Sequence, residues 1–196
     1  KEQPGKMTSM LLADLDRDGW MEIVVTSTEQ GYVFKHDGSY FPGWPREELK
    51  SGRLACADLD RDGTEEIIAV RYGGGIRVVK PDGSPWSTAW PDWLKVDNDD
   101  NSFSFGGYPC VADIDGDGKQ EIILSRINWY YSLTDLTKWP DFNYGAGHGR
   151  DGEIFAIDTA GKVVKTWDLP GSGTMFPWGG ETYFTLGDMV PLPGRS

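Results

Sequence analysis

Twelve acidic side chains recur in three groups of four at one fixed spacing. Asp14, Asp16, Asp18 and Glu22 form the first group, Asp58, Asp60, Asp62 and Glu66 the second, and Asp113, Asp115, Asp117 and Glu121 the third. With the first Asp as place one, the acids stand at places one, three, five and nine, and a glycine (Gly19, Gly63, Gly118) stands at place six. Four carboxylates within nine residues repel one another unless a cation sits between them. Glycine permits the sharp turn that folds their side chains inward. An oxygen-only donor set suits a hard cation, Ca²⁺ above all. The carbonyl at place seven would supply a fifth oxygen. The residues there, Trp20, Thr64 and Lys119, are chemically unlike one another, as expected where only the backbone is used.

The opening of the loop is also that of an EF-hand, which closes with a bidentate Glu at place twelve between helices. Place twelve here is Val25, Ala69 or Leu124, inside β-branched and aliphatic runs, so that loop type is rejected. Asp-Gly runs can also be plain solvated turns. Three copies with the same four acids in the same phase argue against that reading. About three Ca²⁺ per chain are expected, and they would halve the formal charge of −12.

The loops must be held by strands. Each follows an alanine (Ala13, Ala57, Ala112) and precedes an apolar run: Ile23 to Val25, Ile67 to Ala69, and Ile122 to Leu124. A second alternating stretch begins at Gly31, Gly75 and Gly152 and ends in an Asx/Gly turn, the pattern of a hairpin. A Trp-Pro element closes the unit, as Trp44-Pro45, Trp90-Pro91 and, more loosely, Trp167 to Pro170. One unit therefore reads as a four-stranded antiparallel meander with almost no helix. Its second strand is apolar on both faces, as if covered on both sides by neighbouring sheets. Loop starts 44 and then 55 residues apart match the size of a propeller blade.

The expected fold is all-β: one partial β-propeller over residues 1–196, with blade units at about 8–53, 54–95, 108–175 and the start of a fourth at 182–196. Residues 95–108 read as a connecting loop, and residues 127–151 as an aromatic insertion. Three and a fraction blades do not close a ring, so a longer parent polypeptide is expected.

Net charge −12 and pI ≈ 4.5 argue against nucleic acid, which needs a basic footprint. No apolar stretch is long enough to span a bilayer as a helix. Cys56 lies two residues before its acidic loop and Cys110 three, offsets that point to opposite faces of a strand. Buried free thiols are expected rather than a disulfide. Gly73 to Gly75 precede a strand, which disfavours a phosphate cradle.

The unit Ala-Asp-x-Asp-x-Asp-Gly-x-x-Glu-Ile-(Val/Ile), with its Gly-led strand, Asp-Gly-Ser turn and Gly-Trp-Pro element, resembles the FG-GAP/VCBS repeats of β-propellers. Calcium-bearing blades of integrin α-subunit heads are among them. The resemblance covers residues 10–170. It implies that the twelve acids are calcium ligands, that the metal is structural, and that the protein is an extracellular adhesion, scaffold or filament component. In the fourth unit only Asp188 matches, so no calcium is expected there.

Trp129, Tyr130, Tyr131, Trp139, His148 and Arg150 are the candidate ligand surface of the insertion, for a protein or glycan partner on the cell surface or matrix. The other reading is that they fold back as a satellite core. An alternative function is a polysaccharide lyase resembling the rhamnogalacturonan lyases, with His148, Arg150 and Lys138 beginning its site. No nucleophile-base pair is recognisable, so a binding module is expected rather than an enzyme.

Overall fold

A computed structural model describes residues 5–50, 52–71, 75–90, 92–94, 103–105, 108–128 and 152–169. Their strands form three antiparallel sheets. The first contains β1 (Met7–Ala13), β2 (Glu22–Ser27) and β3 (Gly31–Phe34), and the second β4 (Gly52–Ala57), β5 (Glu66–Arg71) and β6 (Gly75–Val79). The third contains β7 (Phe103–Phe105), β8 (Cys110–Ala112), β9 (Glu121–Asn128), β10 (Gly152–Ile157) and β11 (Val163–Leu169). Glu47–Leu49 forms one 3₁₀ turn, and no described helix is long and apolar enough to cross a membrane.

Register places the acidic loops equivalently. Ala13 pairs with Glu22, Ala57 with Glu66 and Ala112 with Glu121. Each loop is thus the hairpin connection of β1 to β2, β4 to β5 or β8 to β9, closed at the same pair.

The sheets pack face to face through two aliphatic cores. Val24, Val33, Phe41 and Trp44 of the first sheet's unit meet Leu54, Ile67, Ala69 and Val79 of the second. On the other side of the second sheet, Ile68, Val70, Ile76 and Val78 meet Ile122, Leu124, Phe155 and Ile157 of the third. β5 therefore buries both faces, as its unbroken apolar run predicts, and each such side chain contributes about 1.5–3 kcal/mol. β2 differs: Val24 is buried, while Ile23 is exposed together with its neighbours Met10 and Leu12. The matching positions in the second sheet, Leu54, Cys56 and Ile67, pack against the first.

Two tryptophans fasten each unit to the next. The Trp44 indole N–H donates to the Pro81 carbonyl (2.6 Å), and that of Trp90 to the Thr159 carbonyl (2.8 Å), each in the Asx/Gly turn of the following unit. Trp167 departs from this pattern. It lies within β11, paired with Ile154 and partly exposed, rather than in a closing element.

Among the described residues, the expected fourth strand is complete only in the third sheet, as β11. In the first two units it shrinks to isolated bridges: Gly31 with Arg46, Phe34 with Tyr40, Ile76 with Leu94, and Val79 with Pro85. Pro42, Pro45 and Pro85 have no N–H to give a ladder, which accounts for the broken edge. Phe103–Phe105, read from sequence as loop, is a strand paired with Arg126–Asn128. With β8 it makes one interrupted first strand along β9. Cys56 and Cys110 form no disulfide and are half-buried rather than fully buried. They lie opposite Ile67 and Ile123, adjacent-phase positions that point to opposite sheet faces. Residues 129–151 and 170–196, with the aromatic insertion and the expected fourth unit, lie outside the described residues.

Candidate metal centres

Each loop is anchored by its second place. Leu15 and Leu59 are buried in the first and second inter-sheet cores, so the chain enters the turn from a fixed point. Ile114, the third-loop counterpart, is exposed. From the anchor the backbone N–H donates across the loop to the place-nine carboxylate: Leu15 to Glu22 Oε2 (2.8 Å), Leu59 to Glu66 Oε2 (2.9 Å) and Ile114 to Glu121 Oε2 (3.1 Å). All three glutamates are buried.

The aspartates curl the chain around this bridge. At place five, Asp18, Asp62 and Asp117 accept from the place-seven N–H at 2.8, 2.7 and 2.7 Å. At place one, Asp14 and Asp113 accept from the place-six glycine N–H at 3.1 and 2.9 Å. Those glycines hold φ of 87°, 86° and 89°, the left-handed region that a side chain disfavours.

Side-chain oxygens converge in every loop. Ligand atoms of Asp14, Asp16 and Asp18 lie within 4.8 Å of one another, as do those of Asp58, Asp60 and Asp62, and of Asp113, Asp115 and Glu121. In the third loop the converging set contains Glu121 rather than Asp117. Trp20, Thr64 and Lys119 occupy place seven, where the backbone N–H turns back to the place-five aspartate. The exposed Trp20 stacks on His36 at 4.9 Å between ring centroids, and Lys119 Nζ lies 3.4 Å from Asp117 Oδ2.

The electrostatics are unbalanced. Burial pushes the Glu22 carboxyl above its usual range, with Asp16 and Asp18 adding repulsion. Burial likewise raises Glu66 to about 7, with Asp60, Asp62 and Asp58 adding to it. The outer aspartates go the other way. A hydrogen bond from Lys35 Nζ (2.6 Å) lowers Asp16, while backbone N–H donors lower Asp62 and Asp117.

Fit to a hard cation is tested by leftover acceptors. Glu22 Oε1, Asp14 Oδ1 and Asp58 Oδ1 are buried without a hydrogen-bond partner. A buried carboxylate oxygen without a partner is costly, and a cation coordinated by oxygen removes that cost. The residues present fit Ca²⁺. Bound there, it would tie the first two strands of each sheet together at the loop.

Three contacts escaped the sequence reading: the reach of Arg17 and Arg61 into the next loop, the Lys35–Asp16 pair, and the burial of Leu15 and Leu59. The signal for the first was present, since place four is arginine in two loops and glycine (Gly116) in the third. Trp129, Tyr130, Tyr131, Lys138, Trp139, His148 and Arg150 lie outside the described residues.

The sequence matches the family description "FG-GAP-like repeat" at residues 14–69 and 58–124, more than half of the chain. Among solved structures, it is similar to a chain of the crystal structure of BBS1N in complex with ARL6DN, soaked with lead, at TM-score 0.51 and 9% identity. The match covers 85% of this chain and 44% of that one, and it concerns the β-propeller fold alone. No curated protein matches.

Proposed function

This chain belongs to the FG-GAP-like repeat family of β-propellers, and from that premise we propose that it is a calcium-stabilised extracellular binding module of the adhesion or scaffold type. The observation that carries the metal reading is Glu22. It is wholly buried, bridged to Leu15 N through one oxygen and left without a partner at the other, beside Asp16 and Asp18. Twelve acids hold three Ca²⁺ in this reading: Asp14, Asp16, Asp18 and Glu22; Asp58, Asp60, Asp62 and Glu66; Asp113, Asp115, Asp117 and Glu121. The metal does no chemistry on a substrate. It cancels charge at the corner of each blade and fixes the hairpin there.

Calorimetric titration tests the stoichiometry. The wild-type chain is expected to bind three Ca²⁺ and Asp60→Ala two, with the sites of the other loops filled as before, since distant sites act independently. Three ions in both proteins would remove Asp60 from the ligand set.

Extracellular placement rests on affinity. Exposed aspartates at places three and five and half-exposed loops suit dissociation constants of about 10⁻⁴–10⁻³ M, which fill only where calcium is abundant. A sub-micromolar constant in the same titration would overturn that part of the reading. The binding role predicts retention on a matrix-glycoprotein or glycan panel in millimolar calcium and its loss in chelator. No retention in either condition would overturn it.

A further inference from the structure

We propose that Arg17 and Arg61 are positioning residues for the metal loop of the following blade, an inference that rests on the calcium reading above. Each stands at place four of its own loop, and each carries positive φ, 58° and 60°. They are the only non-glycine residues among those described that do so. The loop sets this conformation, since Gly116 holds φ 78° at the same place, and in the first two loops the arginine there finds a contact of its own.

The contact is in the next blade. Arg17 Nη2 donates to the Asp62 carbonyl (2.8 Å) and lies 3.2 Å from Thr64 Oγ1 and 3.8 Å from Asp62 Oδ1. It crosses directly over Gly63, where an added Cβ would meet the guanidinium. The φ of 86° at Gly63 disfavours a side chain there, and the arginine tip passes through the space that one would fill. Arg61 reaches the third loop more loosely, by an ion pair rather than a carbonyl hydrogen bond: its Nη2 is 3.8 Å from Asp113 Oδ2, and its Nη1 is 3.5 Å from the Cβ position of Gly118. Place four of the third loop is Gly116, which has no side chain to pass on.

The segment Arg17 holds, Asp62 to Thr64, is the one that supplies two metal ligands, the Asp62 carboxylate and the Thr64 carbonyl. A fixed cation beside a metal site has two opposed effects. It repels the ion, and it orders the ligands. Arg17 and Asp62 are both more than half exposed, so solvent and salt screen the repulsion. The charge-assisted bond to a backbone carbonyl is directional and survives that screening. Ordering therefore wins, and the arginine tightens the loop it touches.

The test is a CaCl₂ titration followed by the backbone amides of Gly19, Gly63 and Gly118, one reporter per loop, in ¹⁵N-labelled protein. In Arg17→Gln the Gly63 midpoint is expected to move about fivefold to tenfold weaker, with Gly19 and Gly118 unchanged. Arg61→Gln is expected to move Gly118 alone and by less, since only a 3.8 Å ion pair is lost. Arg17→Lys keeps the charge without the planar fork and is expected to behave as Arg17→Gln. A Gly63 midpoint that stays put or tightens in Arg17→Gln, or is fully restored by Arg17→Lys, overturns the proposal. If no glycine responds in the wild type, the calcium reading itself fails. If all three respond there and Gly63 ignores Arg17→Gln, only the positioning role fails.

Discussion

Calcium at one hundred times its dissociation constant is expected to raise the melting temperature by about 15–30 °C over the same chain in excess chelator. An ion that binds only the folded state adds about 2.7 kcal/mol per site at that concentration, so three sites add about 8 kcal/mol. For a chain of this size, each kcal/mol moves the midpoint by about 2–4 °C. The effect is concentrated where the fold needs it. Ala13–Glu22, Ala57–Glu66 and Ala112–Glu121 are the last pairs of their hairpins, and the loops that close them carry the like charges. Magnesium is expected to do much less at equal concentration, because it demands a small octahedral shell and gives up water reluctantly. Differential scanning calorimetry in calcium, magnesium and chelator makes the comparison. Superimposed curves in calcium and chelator would rule out a structural metal.

The parts of this fold that were legible in the sequence are those fixed by spacing. The distance from Ala13 to Glu22, repeated twice, sets a hairpin and its loop. The unbroken apolar run from Ile67 to Val70 sets a strand covered on both faces, and β5 is buried on both. The parts that were not legible depend on neighbours. Ile23 and Ile67 stand at the same place in the same motif. One is exposed and the other wholly buried, because only the second has a sheet packed over it. Phe103–Phe105 is too short an alternation to stand out within a Ser/Gly/Asn-rich stretch, and its partner strand ends more than twenty residues later. The fourth strands were overcounted where proline removes the donors that a ladder needs. Within the site, the twelve acids could be read from one loop at a time. Arg17 could not, since its partners are 45 and 47 residues away on another blade.

The metal-free protein is expected to be more stable at pH 5 than at pH 8, by about 3 kcal/mol, and Glu66→Gln is expected to remove most of that difference. Glu66 is 2% exposed, and burial first, then Asp60, Asp62 and Asp58, pushes its carboxyl from an ordinary 4.5 to about 7. Between those values the folded chain holds a proton that the unfolded chain has released. Stability is therefore fully present below about 4.5, falls as pH rises through about 7, and is level above. Glu22 is shifted in the same direction by its own burial and adds to the slope. Asp16, Asp62 and Asp117 are lowered from 3.8, so their titration is complete below this window. The amide of Glu66→Gln still accepts from Leu59 N through its carbonyl oxygen and carries no charge, so the variant should be firmer than wild type at pH 8 without metal. Calcium reverses the sign. It holds Glu66 ionised, a proton must leave for it to bind, and affinity rises with pH through the same window. Urea midpoints at both pH values, with calcium and with chelator, separate the two regimes. A metal-free chain equally stable at pH 5 and pH 8 would mean that Glu66 sits ionised in the fold without a cation, and the physical case for a metal at that corner would go with it.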